Sequence, residues 1–450
     1  MAIREDVLVV GGGIAGATAA LAAAESGATV RLLSHKKSTL RQASGLIDVL
    51  GAIPRDGSSD GADPAGDRSP GDRTEPAGGG STGESELVAD PFEAIGRLPE
   101  AHPYRVVGGG AIRDGLELFD DAVGGAYEGA HTDRNALVIT HGGTVKPTAR
   151  YPESVAPGLA SAERDTLLVG FAGLTDFDAP AAAAHLDAAG VPFAVDGATV
   201  EFPVRFRDDA LTTRFAKALD TDESNARRRL ADAVRDADAD LDGYDRVGFP
   251  AMLGDDEGEA VRTDLEDRLG ASVFQIPTGP PSLLGTQLED LLFDALDAAG
   301  VRLASGNPAV GYEASDGRID SVLVDRRGRE VPYAAEEFVL ATGGLVGKGI
   351  DSDRESVTEP VFGCHVPHPE DRYDWSEPEA FGGHAFARFG VVPDDDLRPA
   401  GESGEPEFEN LRAAGGVLGG ADTAREKSAA GVSLATGAYA GRRAGEEATR

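Results

Sequence analysis

Apolar positions open the chain as a run. Residues 7–10, Val-Leu-Val-Val, are the continuous apolar stretch expected of a strand buried on both faces. Ala15, Ala19 and Ala22 then recur at helical spacing, and Gly27 stands where a helix would stop. Residues 29–33 repeat the strand pattern. Between the first strand and the helix lie Gly11, Gly13 and Gly16, spaced G-x-G-x-x-G. In a strand–turn–helix–strand unit this spacing has a mechanical reading. Gly11 permits the tight turn, Gly13 lets the backbone approach a diphosphate, and Gly16 lets helix and strand pack closely. Ile14 and Ala15 open the helix, whose free N–H groups would face a phosphate. A dinucleotide or flavin site is the expectation, against the plainer reading of a glycine-rich turn in an ordinary α/β protein.

The same two patterns continue. A helix is predicted to open at 108–110 and run through Leu116, Leu118 and Phe119, with a strand over 136–140 and an inward-turning loop over 141–148. Strands are predicted over 166–171, 200–206 and 273–276, a strand and turn over 246–254, and helices over 180–189, 211–241 and 261–269. Prolines then fix a loop around Thr278 and Ser282, ahead of a helix over 287–299. Residues 301–304, 310–314 and 318–324 predict a meander. A buried strand over 337–344 ends in Ala-Thr-Gly-Gly, a strand and glycine turn occupy 409–423, and a helix covers 426–443. Strands alternating with helices mean an α/β architecture. The fold class is therefore α/β, a Rossmann-like FAD/NAD(P)-binding fold with an inserted second α/β domain. Residues 1–134 and 286–450 form the flavin-binding domain and 135–285 the insert. Residues 55–89 read as a disordered insertion, because Gly, Pro, Ser and Asp cannot bury enough surface to offset the entropy of ordering.

Charge and cysteine content narrow the class. Of 450 residues 78 are acidic and 42 basic, a formal net charge of −36. There is no basic footprint for nucleic acid. The acidity is spread along the chain and fits a solvated surface in a salt-rich cytoplasm better than a cationic partner. The single cysteine, Cys364, cannot ligate an iron–sulfur cluster, which takes about four thiolates. No apolar run reaches the roughly 20 residues of a membrane span, and no leader pattern precedes the first strand. Cys364, His365 and His368 give weak support to a zinc site, so no metal is expected. His365 is a proton-transfer candidate or a hydrogen-bonded loop histidine, and no general base is identified. Lys146 could bind an anionic group, with a surface role the plainer reading.

The site residues follow from this frame. Ser34 stands where an acidic residue usually grips the ribose, followed by His35, Lys36 and Lys37; the lysine pair is compatible with the phosphate of NADP or of a flavin, or is simply a solvated turn. Ser44 and Gly45 begin a segment that either passes a flavin edge or is a buried strand after a turn. Thr342, Gly343 and Gly344 would lie near the cofactor phosphates. Gly420 belongs to the final glycine turn, Asp422 could accept ribityl hydroxyls, and Gly431 and Val432 open the last helix, whose positive end suits a flavin carbonyl.

Residues 44–51 (Ser-Gly-Leu-Ile-Asp-Val-Leu-Gly), Asp176-Phe177, 248–254 (Gly-Phe-Pro-Ala-Met-Leu-Gly), Pro280-Pro281-Ser282 and 414–422 (Ala-Gly-Gly-Val-Leu-Gly-Gly-Ala-Asp) together resemble the B subunits of anaerobic glycerol-3-phosphate dehydrogenases. The resemblance implies oxidation of sn-glycerol 3-phosphate to dihydroxyacetone phosphate by a three-subunit complex at the cytoplasmic side of the membrane. A catalytic A subunit carries FAD, the B subunit carries a flavin assigned as FMN with FAD the alternative, and an iron–sulfur C subunit passes electrons to quinone. This chain departs from the family pattern twice. Residues 426–429 read Glu-Lys-Ser-Ala in place of Glu-Gly-Cys-Gly, and Gln275 stands where an acidic residue is expected. Two other functions stay open at this point: a stand-alone flavin oxidoreductase, and a structural subunit with a degenerate nucleotide fold.

Overall fold

Valine and leucine on both faces of the first strand place it at the centre of a sheet. A computed structural model describes residues 3–35, 39–54, 85–206, 210–237, 243–380 and 382–450. The chain begins with β1 (Ile3–Val10), α1 (Ile14–Glu25), β2 (Val30–Ser34) and α2 (Pro103–Val123). It continues through β3 (Thr166–Phe171), α3 (Ala179–Ala189), β4 (Val195–Val200), α4 (Thr212–Asp220), α5 (Ala226–Ala237), β5 (Arg246–Pro250), α6 (Gly258–Leu269) and β6 (Ser272–Ile276). It then returns as α7 (Leu283–Ala298), β7 (Arg302–Ser305), β8 (Ala309–Ser315), β9 (Arg318–Asp325), β10 (Glu330–Leu340), β11 (Leu411–Ala413) and α8 (Ala429–Ala448).

The larger sheet runs β7-β2-β1-β10-β9-β8, with β11 beside the end of β10. β1 is parallel to both neighbours, in a register that sets Val10 against Leu33 and Leu340. β7 extends the parallel part, with Ser305 opposite Ser34, and β10, β9 and β8 form an antiparallel meander. The carboxyl ends of β1, β2, β7 and β10 therefore share one edge, where parallel α/β sheets bind ligands.

Small residues dock two helices on this sheet at close range. Gly437, Gly441 and Gly445 of α8 repeat every fourth residue and face Ala15, Ala19 and Ala23 of α1, also every fourth. A Cβ on Gly437 would stand 2.6 Å from the Ala15 carbonyl oxygen, and one on Gly441 would collide with that of Ala19. The equal spacing and common direction make the helices parallel neighbours along about two turns. Eight residues of α8 precede Gly437, so its amino end projects about 12 Å past the level of Ala15.

The second unit has its own sheet, β4-β3-β5-β6, all parallel, and its own apolar core. Phe171, Phe202, Phe206 and Phe215 pack there ring to ring. Arg246 is fully buried at the start of β5, and its guanidinium donates to Thr166 Oγ1 and to the carbonyls of Pro157 and Leu159. Desolvation lowers its pKa to about 10, with Arg164 adding to the effect. A small third cluster gathers Leu46, Val138, Tyr151, Val155, Ala251 and Leu284.

Several expectations need correction. The helix expected to open at 108–110 starts at Pro103 behind the N-cap His102, and Gly108 (φ 77°) breaks it internally. The helix expected over 211–241 is two helices, because Asp222, Ser224 and Asn225 take left-handed φ; 238–242 lie outside the described residues. The strand expected over 200–206 is 195–200 instead. Half of the loop expected over 141–148 is a strand, Val145–Thr148, paired with Ala136–Ile139. β7 joins the parallel sheet and not the meander. Residues 55–84, most of the expected insertion, lie outside the described residues, whereas Ser85–Leu87 pairs with Ala52–Pro54.

Candidate functional site

A cavity of about 390 Å³ opens at the shared carboxyl edge. Gly11, Gly12, Gly13, Ile14 and Ala15 form one wall, Ser34 and His35 the next, and Thr342 and Gly343 a third. Gly11 has φ 126°, and a Cβ there would collide with the Ala341 carbonyl, so only glycine lets β1 turn beside β10. Gly16 is tighter still, since a Cβ would strike the Gly11 carbonyl. Gly13 differs: the nearest atom to an added Cβ is Thr39 Oγ1 at 3.5 Å. Its bare face looks into the cavity. Gly13 is also the N-cap of α1, and no side chain caps the helix. The first-turn N–H groups have no acceptor within the helix and point toward the cavity.

The charge of the lining is distinctive. Among the described residues that line the cavity none is Asp or Glu, although 78 of 450 residues in the chain are acidic. The described lining residues number 23, and an even draw would include about four carboxylates. His35 and Lys348 line it instead. The Oγ1 of Thr342 is buried with no hydrogen-bond partner. A lone buried hydroxyl, an uncapped helix and a wall without carboxylates together suit a phosphate-bearing ligand.

Support for the wall comes from Glu359. Its carboxylate accepts the N–H groups of Val361 (2.8 Å) and Phe362 (2.7 Å), which fixes the Pro360-Val361 side of the cavity. Burial raises the pKa of this group, and the backbone donors only partly offset it.

Seven residues expected at the site line the cavity: Gly11, Gly13, Ile14, Ala15, Ser34, Thr342 and Gly343. Gly16 and Gly344 adjoin it; a Cβ on Gly344 would stand 2.7 Å from the Gly416 carbonyl oxygen. The other six stand in protein contacts outside the lining. Ser44 Oγ accepts the Leu46 N–H at 3.4 Å, and a Cβ on Gly45 would press on Leu284. Gly420 packs on the Ala101 carbonyl, and Val432 is buried. Asp422 Oδ1 accepts the Arg425 N–H at 3.2 Å as the cap of a short helix, Thr423–Glu426. Gly431 donates to the Asp48 carbonyl at 2.8 Å, where a Cβ would collide with the Tyr104 hydroxyl. The final helix reaches the cavity through Ser433, and Gly416 comes with it. Lys36 and Lys37 lie outside the described residues.

Sequence reasoning missed Asn307, Lys348 and Gly416. The glycine-rich run 343–349 was a signal for the second of these. Lys146 is no loose surface lysine: its Nζ lies 2.5 Å from Asp48 Oδ2, and Thr148 Oγ1 donates to Asp48 Oδ1 at 2.6 Å. Gln275 has a structural role, its Oε1 accepting the Leu253 N–H at 2.8 Å. Ser428 donates to Glu426 Oε2 at 2.9 Å. His365 is outside the cavity, with Nδ1 3.9 Å from Glu402. No group of three or more His, Cys, Asp or Glu that could hold a metal occurs among the described residues.

A glycine-turned βαβ unit, an uncapped helix and an anion-suited cavity at the carboxyl edge define a nucleotide-cofactor flavoprotein fold, and the family model described as "FAD binding domain" matches residues 6–67 and 73–432. The probable B subunit of an anaerobic glycerol-3-phosphate dehydrogenase from Halobacterium salinarum is 54% identical, over 99% of each chain. The B subunit of the anaerobic glycerol-3-phosphate dehydrogenase of Vibrio cholerae is 29% identical, over 97% of this chain and 95% of its own. The chain belongs to this family of B subunits within the FAD-binding-domain group. Among solved structures, an open-conformation flavocytochrome c3 fumarate reductase aligns at 11% identity with a TM-score of 0.45, over 100% of this chain and 79% of its own.

Proposed function

We propose that the chain is the flavin-carrying B subunit of an anaerobic glycerol-3-phosphate dehydrogenase, and that the nucleotide half of its flavin occupies the cavity at Gly11–Gly13. The observation that carries this reading is the cavity wall, which joins an uncapped helix start to a lining that, among the described residues, holds no carboxylate in a strongly acidic chain. Family membership supports the substrate: oxidation of the C2 carbinol of sn-glycerol 3-phosphate releases two electrons and two protons and gives dihydroxyacetone phosphate. A bound flavin supplies a two-electron acceptor that can also pass electrons singly.

FAD suits the geometry better than FMN. The cavity runs from the Gly11–Gly13 turn back to Ser34, His35 and Asn307, beyond the ends of β2 and β7, where an adenosine would lie. FMN ends at one phosphate and would leave that part unused. Ser34 in place of an acidic residue offers the ribose a hydroxyl and puts no negative charge beside the phosphates.

Electrons need a route out. One cysteine cannot ligate a cluster, and no helix among the described residues is long and apolar enough to cross a membrane. An iron–sulfur C subunit and a catalytic FAD-bearing A subunit are therefore the partners proposed, with the complex held at the cytoplasmic membrane face through them. The test is to purify the full chain with and without its partner subunits, release the cofactor with acid and identify it by mass spectrometry. FAD at one equivalent per copy of this chain is the expected result. No flavin in the complex beyond that of the A subunit would overturn the reading, and FMN would overturn the adenosine assignment.

A further inference from the structure

We propose that Lys348 binds the diphosphate of the cofactor and is the main protein cation of the site. This rests on the flavin reading above and deepens it. The chain has only six lysines, and of the four among the described residues Lys348 lines this cavity. Lys348 makes no ion pair or side-chain hydrogen bond among the described residues, in a chain with 36 excess negative charges available to it. It sits at φ 64°, on a turn closed by its own N–H to the Leu345 carbonyl at 3.4 Å.

The loop that carries it is built to fold back on the cavity. The Gly349 N–H reaches the Gly344 carbonyl at 3.2 Å, and a Cβ on Gly349 would stand 2.5 Å from Thr342 Oγ1 and collide with the Gly343 carbonyl. This close return sets Lys348 on the wall that holds the partnerless Thr342 hydroxyl. Val346, on the same loop and the same lining, is 97% exposed, an apolar side chain left at the mouth. An uncapped helix and one hydroxyl are neutral donors. A diphosphate carries formal charge that they balance only in part, and an ammonium group within a flexible four-carbon reach supplies the remainder.

The experiment titrates FAD into the full-length chain, wild type, K348Q and K348R, and reads flavin fluorescence at 0.2 M and 2 M KCl. A charge-assisted contact of about 1.5 kcal/mol corresponds to roughly tenfold in Kd. K348Q is expected to bind FAD about tenfold more weakly at 0.2 M, the gap should narrow at 2 M as screening removes the Coulombic part, and K348R should stay within about threefold of wild type. Unchanged affinity in K348Q overturns the assignment. So does a loss of equal size at both salt concentrations, which would mark a collapsed loop. A wild-type chain that binds no FAD overturns the role of Lys348 at a diphosphate, and one that in a parallel titration binds no FMN either overturns the flavin reading itself; both outcomes are distinct from wild-type FAD binding that K348Q shares.

Discussion

His102 and Glu426, 324 residues apart in sequence, meet at 3.1 Å inside the protein. His102 Nδ1 accepts the Tyr104 N–H at 3.1 Å, so that nitrogen carries no proton and Nε2–H donates to the carboxylate. Ser428 Oγ and the Asp422 N–H complete the shell around Glu426. Burial works to raise the pKa of Glu426, but the contacts with His102, Ser428 and Asp422 together outweigh it and hold the group below its ordinary 4.5. A depressed carboxylate contributes stability that is present above the unfolded value and lost as pH falls through the folded one. His102→Ala is expected to cost about 2–4 kcal/mol in urea unfolding at pH 7, since it leaves a buried carboxylate short of a donor. In Glu426→Gln the part of the acid-induced loss that belongs to this group should vanish below about pH 4.5. Parallel pH–stability curves for wild type and Glu426→Gln would refute the account.

Gly11 and Gly13 sit two residues apart and should fail in different ways. Gly11→Ala forces a Cβ into the Ala341 carbonyl at φ 126°, and a fall in stability of about 2–4 kcal/mol is expected. Gly13→Ala meets only Thr39 Oγ1 at 3.5 Å, with φ −86° and ψ −171°, which alanine adopts freely. Its stability should stay within about 0.5 kcal/mol of wild type, while its methyl group takes up room on the cavity wall and weakens FAD at least tenfold. Thermal melts and flavin titration separate the two effects. A Gly13→Ala chain that binds FAD normally would remove this wall from the site.

Cys364 should be chemically silent in the native state. It is buried, and its thiol is pushed far above the ordinary range, chiefly by burial and further by the Glu359 and Glu407 carboxylates. Thiolate is the reactive species, so a disulfide reagent at pH 8 should titrate no thiol in the native chain and one in guanidinium chloride. Native labelling at the denatured rate would show that the segment around Cys364 opens readily.

What was legible in the sequence follows from how local the determinant is. The turn at Gly11–Gly16 and the strand ending at Thr342–Gly343 are short signals with fixed steric meanings, and both reach the cavity. The break between α4 and α5 was hidden, because Asp222, Ser224 and Asn225 take left-handed φ without a glycine to announce it. β7 was misplaced because its neighbour is β2, some 270 residues away, and no periodicity reports a partner. Asp422 and Lys146 were misread for a related reason. Their types allow a ligand contact or a solvated surface, and only the fold brings Asp422 to the Arg425 N–H and Lys146 to Asp48. The α1–α8 contact was hidden: Ala15 and Ala19 were read as helical spacing in α1, but nothing in the sequence announced that Gly437, Gly441 and Gly445 of α8 face them.

The acidic surface sets a dependence on salt that the ion pairs oppose. Exposed pairs such as Arg113–Asp133 and Arg97–Glu86 weaken as salt is added, and being solvated they contribute little. Against them stands a formal net charge of −36, whose self-repulsion acts over about 10 Å at 0.1 M salt and about 3 Å at 1 M. Repulsion among the uncompensated carboxylates is the larger effect, so the melting temperature should rise steadily from 0.1 M to 2 M KCl. Sucrose at matched osmolality favours the folded state by exclusion but screens nothing. If sucrose raises the melting temperature as much as KCl does, charge screening is not the cause. If KCl lowers it, the ion pairs outweigh the net charge, and the acidity must be neutralised by contacts within the fold.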